Sequence, residues 1–578
     1  MKEEDECYQL FIPGMNVTQM QIVYMIYSLL QHIQQPGSQS LKEAIMPRFF
    51  AGSRSKTLPD VQMQIFSGEP SEDQTNRRHV HVVILGTGFS GLGMAIRLKQ
   101  QGYENFVVLE QASDIGGTWR DNTYPGCACD IPSHLYSFSF AFNPNWSRSY
   151  SPQREIWDYL RRCAKRYGIL PHILWNNKLL EASWNEADQC WYITTTQGQL
   201  TANILILGNG PLSEPSLPLI PGIDKFEGVK FHSAQWNHDY NLSGKRVAVI
   251  GTGASSIQFI PKIQPQVRYL SLFQRTPPWI LPRHDHRIPS WQRAMFRIVP
   301  FTQRIMRTRI YWRQELIALG FLYRSNLLEN GMQLSRSYLE KQVKDPVLRA
   351  KLTPQYTIGC KRVLLSDDFY PALTQPNVEV ITDRIREVKA NSIVTEDGLE
   401  HQIDAIIFGT GFHVTDSQLP QHICGRNGRS LADHWHAGSS AYFGTTVSGF
   451  PNLFLLIGPN TGLGHNSMVF MIESQLNYIL DCLRTMDRRN LGVVEVRPEF
   501  QEAFDTEVQK RMQSTVWTSG CKSWYLDANG HNTTLWPGFT FEYRRRTRHF
   551  DPQHYTLIPQ QVLTHGGKAI AVQSETRR

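Results

Sequence analysis

The sequence predicts an α/β protein of two Rossmann-like dinucleotide-binding domains, the second, with a helical portion, inserted into the first. Three observations predict it. Two stretches, starting at Val80 and Val247, each run from a short apolar strand through a glycine-rich turn and a helix-type spacing into a second apolar strand. Two other strand-type runs, Ile204–Leu207 and Ala405–Phe408, end in matching Gly-x-Gly turns and bracket the second stretch. The chain is also long enough. Its 578 residues, 41% apolar and 19% charged, fill more than one core, at a prior of about 150 residues per domain.

In chain order, residues 1–76 read as a leader and linker. The start, Met1 to Glu6, is acidic and unlike a secretory signal. Met15 to Ile33 is apolar but broken by Asn16, Thr18, Gln19, Gln21, Ser28 and Gln31, so it is expected to pack as an amphipathic helix and not to insert stably in a membrane. Residues 77–213 form the first part of the first dinucleotide-binding domain. Val80–Leu85 is a strand, Leu92–Gln101 a helix stopped by Gly102, and Phe106–Leu109 a strand ending on Glu110. Residues 214–399 form the inserted domain. Val247–Ile250 and Tyr269–Phe273 are its strands and Ile257–Ile263 its helix. The stretch 290–350 is helical, and Met295, Ile298, Val299, Phe301, Leu316, Ile317, Leu319, Phe321 and Leu322 read as helical core rather than the lining of an apolar channel. Residues 400–560 return to the first domain, and 561–578 are a tail.

Composition excludes several classes. The net charge of +8 is mostly scattered, and the one dense cluster, Arg544-Arg545-Arg546-Thr547-Arg548, reads as a charged late strand or tail, so no nucleic-acid partner is expected. Nine widely spaced cysteines argue against a disulfide framework and for free thiols in a reducing compartment, the cytoplasm. Cys127 and Cys129 lack the spacing and companions of a zinc site, and no metal is expected.

The turns carry the chemistry. In Gly86-Thr87-Gly88-Phe89-Ser90-Gly91, Gly86 permits the tight turn, Gly88 lets backbone approach a pyrophosphate and Gly91 lets helix pack on strand. The helix start then faces the phosphates with free N–H groups. Glu110 accepts hydrogen bonds from a ribose diol and repels a 2′-phosphate, which suits FAD or NAD. The second turn, Gly251-Thr252-Gly253-Ala254-Ser255-Ser256, has Ser256 in place of the third glycine. Its second strand ends on Arg275 and Thr276, which suit the 2′-phosphate of NADPH. One bare and one phosphorylated ribose point to FAD plus NADPH. The cradles alone leave open whether electrons pass to a disulfide, a quinone or oxygen.

Three further patterns carry a resemblance. They are Gly116-Gly117-Thr118-Trp119 followed by Tyr124-Pro125-Gly126 and Asp130; Phe226-Glu227-Gly228 followed by His232 and Trp236; and Gly359-Cys360-Lys361-Arg362. From about Val80 to about residue 550 the chain resembles the Baeyer–Villiger monooxygenases, among the class B flavoprotein monooxygenases. It departs from their pattern at Asn237, where Pro or Asp is usual. The resemblance implies that NADPH reduces FAD, that O₂ adds at the flavin C4a carbon, and that the resulting peroxide attacks a ketone to give an ester or lactone. It implies an active-site role for Arg362, oriented by Asp130, and flavin contacts from Gly117, Thr118, Trp119, Tyr124, Asp130 and Tyr136. It implies cofactor contacts from Gly409, Thr410 and Gly411, and NADPH contacts from Lys361 and, on a mobile loop, Trp524. His232 and Trp236 resemble interdomain linker residues, and Asn460 to Ser467, with Gly462 and Gly464, a segment closing over the flavin. The alternative is a relative that oxidises nitrogen or sulfur. The particular ketone is not legible.

Overall fold

The computed structural model describes residues 78–323, 326–521 and 523–561. The expected leader, with its Met15–Ile33 stretch, and the tail beyond Gln561 lie outside the described residues.

The first sheet is built around β1 (Arg78–Leu85), which pairs in parallel with β2 (Phe106–Leu109) on one side and β6 (Gly198–Leu207) on the other. Val82, Val83 and Ile84 are fully buried, as a central parallel strand covered on both faces requires. Beyond β2 lies β3 (Ile173–Leu174); beyond β6 an antiparallel meander adds β5 (Cys190–Thr195) and β4 (Leu179–Asn185). Between β1 and β2 runs α1 (Phe89–Gln100), and α2 (Thr118–Asp121) and α3 (Gln153–Arg166) follow.

The second sheet is wholly parallel. It contains β7 (Val229–His232), β8 (Arg246–Ile250), β9 (Tyr269–Phe273), β12 (Val378–Ile381) and β16 (Ala405–Phe408), in the order β12-β9-β8-β16-β7. Helix α4 (Ser256–Ile263) connects β8 to β9. A short pair, β10 (Ile280–Leu281) with β11 (Leu364–Leu365), and a three-stranded antiparallel sheet, β13 (Ile385–Val388), β14 (Ser392–Thr395) and β15 (Glu400–Gln402), complete this part. The expected return to the first domain at residue 400 is too early. β16 lies between β7 and β8, paired on both edges and fully buried at Ala405, Ile406 and Ile407. The chain rejoins the first sheet only at β17 (Ile423–Cys424) beside β4 and β18 (Leu453–Leu455) beside β6. The hairpin-like pair β19 (Leu491–Val496) and β20 (Tyr555–Pro559) closes the fold.

The helical stretch comprises α5 (Ser290–Ile298), α6 (Pro300–Tyr323) and α7 (Asn326–Gln342). Its apolar residues divide. Phe321 and Leu322 are buried, but Ile298, Val299, Phe301 and Ile317 are exposed, so the helical-core reading holds for only part of the set. The later helices are α8 (Met468–Arg489), α9 (Pro498–Met512) and α10 (Thr540–Arg546). The arginine cluster, expected on a strand or tail, is instead mostly helical. Arg544, Arg545 and Arg546 occupy the last turn of α10, where they face the negative end of the helix dipole, and Arg548 lies beyond it. Arg546 forks onto Glu507 and Arg544 lies over the Phe470 ring. Among the described residues no helix is long and apolar enough to cross a membrane and no side-chain group is arranged to hold a metal ion.

Two buried histidines make the fold acid-sensitive. Burial pushes His134 and His232 down to about 4, reinforced at His134 by Arg307 and opposed at His232 by the nearby Gly411 backbone. The unfolded chain binds these protons from about pH 6.5 downward and the folded chain does not. Their contribution to stability is therefore full above about pH 6.5 and is lost as pH drops toward 4, by on the order of 3 kcal/mol per histidine. Urea midpoints measured between these limits should decline with acid, and less so in a His134→Gln, His232→Gln double variant; a parent profile without slope contradicts this.

Candidate active site

The first cradle is shaped by contacts only glycine permits. Gly86 has φ +89°, and a Cβ on Gly91 would lie 1.9 Å from the Gly86 carbonyl oxygen. A matching turn from β6 completes it: a Cβ on Gly86 would come within 3.0 Å of the Gly208 carbonyl. At Gly88 the reverse holds. A Cβ there meets nothing closer than Gly117 Cα at 3.9 Å, and Gly88 caps α1 without any side chain bonding its first N–H groups. Open space in front of free helix-start donors, with no acid in the first turn, fits a dinucleotide pyrophosphate. Phe89 and Ser90 are buried at this start, where Phe89 packs edge-on to Tyr136.

Glu110 stands at the end of β2. Its carboxylate accepts from Thr87 N at 3.1 Å, Thr87 Oγ1 at 2.5 Å, Ala112 N at 2.9 Å and Arg120 Nη1 at 2.8 Å. Arg120, which the motifs did not single out, pairs with this carboxylate and helps hold it in place. Gly117 and Thr118 open α2, and Trp119 Nε1 donates to Tyr136 OH at 3.1 Å.

The segment Tyr124–Asp130 crosses from the first unit to the second. Tyr124 OH donates to Gln258 Oε1 at 3.1 Å, and Gln258 exchanges two hydrogen bonds with the Ala128 backbone. Asp130 then meets Arg362, whose Nε and Nη2 donate to the one oxygen Asp130 Oδ2 at 3.0 and 2.6 Å. Burial opposes the Asp130 charge, but Arg362 outweighs it and holds the carboxyl below its ordinary value. Asp130 in turn raises Arg362 further above its already high value. Both bonds go to one oxygen, so Asp130 leaves Nη1 of the fork untaken. Arg362 is placed two residues before β11, on the side of the second unit facing the first. Arg283 Nη2 donates to the Cys129 carbonyl at 2.6 Å, putting a second cation beside Asp130 that the sequence reading did not name. The Tyr525 hydroxyl is buried with no hydrogen-bond partner among the described residues, and burial pushes it up to about 12 despite the Arg362 charge.

The second cradle repeats the first. A Cβ on Gly251, at φ +104°, would lie 2.5 Å from the Gly409 carbonyl; Gly253 is more open, with Gly409 O at 3.7 Å. Ala254 and Ser255 lead into α4. Ser256 replaces the third glycine because Gly409 opposite lacks a side chain: a Cβ there would be 2.0 Å from Ser256 Oγ. Gly409, Thr410 and Gly411 thus belong beside the second cradle, and Thr410 Oγ1 donates to the Ser216 carbonyl at 2.5 Å. Arg275 follows β9, and the Thr276 carbonyl accepts from Thr252 Oγ1 at 3.2 Å. Lys361, whose ammonium lies 5.1 Å from the centre of the Tyr356 ring, is lowered by burial and then by Arg275. Two cations that repel one another, with no carboxylate paired to either among the described residues, fit a phosphate.

Other expected residues lie farther out. Trp524 is 45% exposed and packs on Tyr525. His232 is buried, accepts from Ala234 N at 3.1 Å and meets Phe412 edge-on, while Trp236 packs between Phe231 and Phe259. In the 460–467 segment Asn460 bonds the Asn532 and Leu535 carbonyls, and Asn466 donates to Glu315 at 2.5 Å. Glu315 of α6 is buried, yet His465, Thr540 and Asn466 hold it below its usual range.

The cysteine reading needs correction. Cys360 and Cys521 form a disulfide, joining residues 161 apart and tying the Arg362 segment to the loop that carries Trp524. Wide spacing hid it because the fold, not the local chain, brings the two together. Cys127 and Cys129 remain free and buried, and burial pushes Cys127 up to about 12. Cross-linking so long a loop is worth on the order of 3–5 kcal/mol in the chain-entropy picture. Dithiothreitol or Cys521→Ser should therefore lower the melting temperature by several degrees; an unchanged melting temperature contradicts the link.

The flavin-binding monooxygenase-like family matches residues 79–424. A "Baeyer-Villiger monooxygenase" of Streptomyces coelicolor is 49% identical over 86% of this chain and 96% of its own. One of Pseudomonas aeruginosa is 51% identical over 83% of this chain and 92% of its own. Among solved structures, cyclohexanone monooxygenase from Rhodococcus sp. Phi1 bound to NADP+ superposes with a TM-score of 0.74 at 28% identity, covering 84% of this chain and 100% of that one.

Proposed function

The chain belongs to the flavin-binding monooxygenase-like family and, within it, to the Baeyer–Villiger monooxygenases, FAD- and NADPH-dependent enzymes that insert oxygen beside a ketone carbonyl, and we propose that Arg362 is the group that makes this chain's oxygen insertion possible. The observation that carries the proposal is the Arg362–Asp130 ion pair, which ties the segment following the first cradle to the inserted domain.

FAD, when bound in the first cradle and reduced by NADPH, supplies the activated oxygen. Gly86, Gly88, Gly91 and the start of α1 hold its pyrophosphate, and Glu110 its ribose. Gly251, Gly253 and the start of α4 hold NADPH, with Arg275 and Lys361 on its 2′-phosphate. Arg362 keeps a fixed positive charge beside the carbonyl oxygen as that oxygen becomes an anion. Asp130 sets the plane of the guanidinium and fixes its position by accepting from two of its nitrogens. Heteroatom oxidation has no such anion to stabilise, and this charged pair weighs against it. A small ketone and O₂ are its substrates, as the Baeyer–Villiger relatives suggest; the six free thiols among the described residues favour a cytoplasmic enzyme, and the Cys360–Cys521 disulfide counts against one.

NADPH oxidation stimulated by ketones tests the reading; stimulation by thioethers alone overturns it. The nucleotide side has its own test. Arg275→Ala and Lys361→Ala should each raise the KM for NADPH about tenfold or more while leaving that for NADH nearly unchanged. Equal effects on both nucleotides would remove the 2′-phosphate assignment.

A further inference from the structure

The exposed part of the helical stretch is not explained by the reaction. Where α5 turns into α6, Trp291 is 68% exposed, Ile298 80%, Val299 46%, Phe301 65% and Ile305 54%. Five large apolar side chains at one elbow form a patch that soluble proteins seldom leave open without use. Phe301, Ile305 and Trp312 recur at helical spacing, so they share one face of α6. The opposite face is the buried one: Gln303 bonds the Asn143 carbonyl, and Arg307 donates to the His134 and Leu135 carbonyls.

The charge around this elbow has one sign. Between Asp285 and Glu315 there is no acidic residue and there are seven arginines. Arg297, Arg304 and Arg309 are exposed. The same face continues onto α10. Trp312 packs on Phe541, and Tyr311 stacks on Phe470, over which Arg544 also lies. There a groove of about 600 Å³ opens, lined by Arg97, Arg484, Arg544, Arg545 and Arg548, with Asp481 as its acid. A second link runs through residues 140–142: Arg97 lies over Phe140 and Arg304 over Phe142.

We propose that the α5–α6 elbow and the adjoining arginine groove form a seat for an anionic lipid surface. The aromatic and aliphatic residues enter the boundary between headgroups and acyl chains, and the arginines meet lipid phosphates and carboxylates around them. This pairing of an apolar wedge with a cationic rim is what a helix lying in a membrane interface requires. Charge complementarity selects acidic lipid over a second copy of the chain, because two such faces would set arginine against arginine.

The test is co-sedimentation of the full-length, flavin-loaded enzyme with vesicles of phosphatidylcholine alone and of phosphatidylcholine with phosphatidylserine. Binding is expected to the mixed vesicles only, and to weaken with salt. Ile298→Ser with Phe301→Ser changes exposed residues and should leave flavin content and melting temperature intact while weakening binding about tenfold or more. Arg545→Gln with Arg548→Gln should weaken it by about fivefold per charge removed. Equal binding to both vesicles, or none, overturns the proposal. So does undiminished binding by the Ile298/Phe301 variant, which would place the attachment elsewhere in the chain. A dimer that this variant converts to monomer, with no vesicle binding by the parent, would assign the face to a second copy.

Discussion

Arg362→Ala should cost oxygen insertion about a thousandfold or more while NADPH still reduces the flavin. Removing a single preorganised donor from a developing oxyanion typically costs about a hundred- to a thousandfold in turnover, and this change removes a whole charge. It also strands Asp130, whose carboxylate loses both bonds it accepts from the guanidinium. Arg362→Lys should recover little, because an ammonium cannot span the carboxylate and the reacting oxygen as a planar fork does. Asp130→Asn should be milder, since it leaves the charge and loosens only its position. Single-turnover measurements separate the steps: reduction monitored without oxygen, then product formed after oxygen is added. An Arg362→Ala enzyme that still makes ester at a normal rate would refute the role.

Gly91→Ala and Gly88→Ala should both lose flavin, for different reasons. At Gly91 the new methyl meets the Gly86 carbonyl at 1.9 Å, so turn and helix must part. That costs on the order of 3 kcal/mol or more, and the variant should lose stability as well as flavin. At Gly88 the methyl meets only Gly117 Cα at 3.9 Å, and the backbone, at φ −70°, accepts any residue. The Gly88→Ala protein should therefore fold, with a melting temperature near that of flavin-free parent, and bind FAD a hundredfold or more less tightly because the methyl takes the place of the pyrophosphate. Flavin absorbance and calorimetry on both variants decide it. A Gly88→Ala protein that keeps its flavin would mean that the turn is structural only.

What was legible in the sequence was local. Phe106–Leu109, Tyr269–Phe273 and Ala405–Phe408 are strands at the residues expected, because short apolar runs between glycine turns carry their own signal. The sheet that a strand joins is not local, and β16 went to the wrong one for that reason. Gln258, which bonds a backbone 130 positions away, has no pattern of its own. Arg120 and Arg283 were hidden among ordinary surface arginines. The Cys360–Cys521 link was hidden by distance, although Cys360 stood inside a quoted motif. Ser256 stands in place of the third glycine, and the space for it comes from Gly409, which no local pattern links to it. The Arg544 cluster misled because charge density alone says nothing of helix or strand.

The most direct test is to supply the purified enzyme with NADPH, ¹⁸O₂, a linear 2-ketone, a cyclic ketone and a thioether, and to identify the products by mass spectrometry. Ester or lactone carrying one labelled oxygen, formed by the parent and absent with Arg362→Ala, is the predicted result. Sulfoxide with no ester or lactone, unaffected by Arg362→Ala, would contradict it.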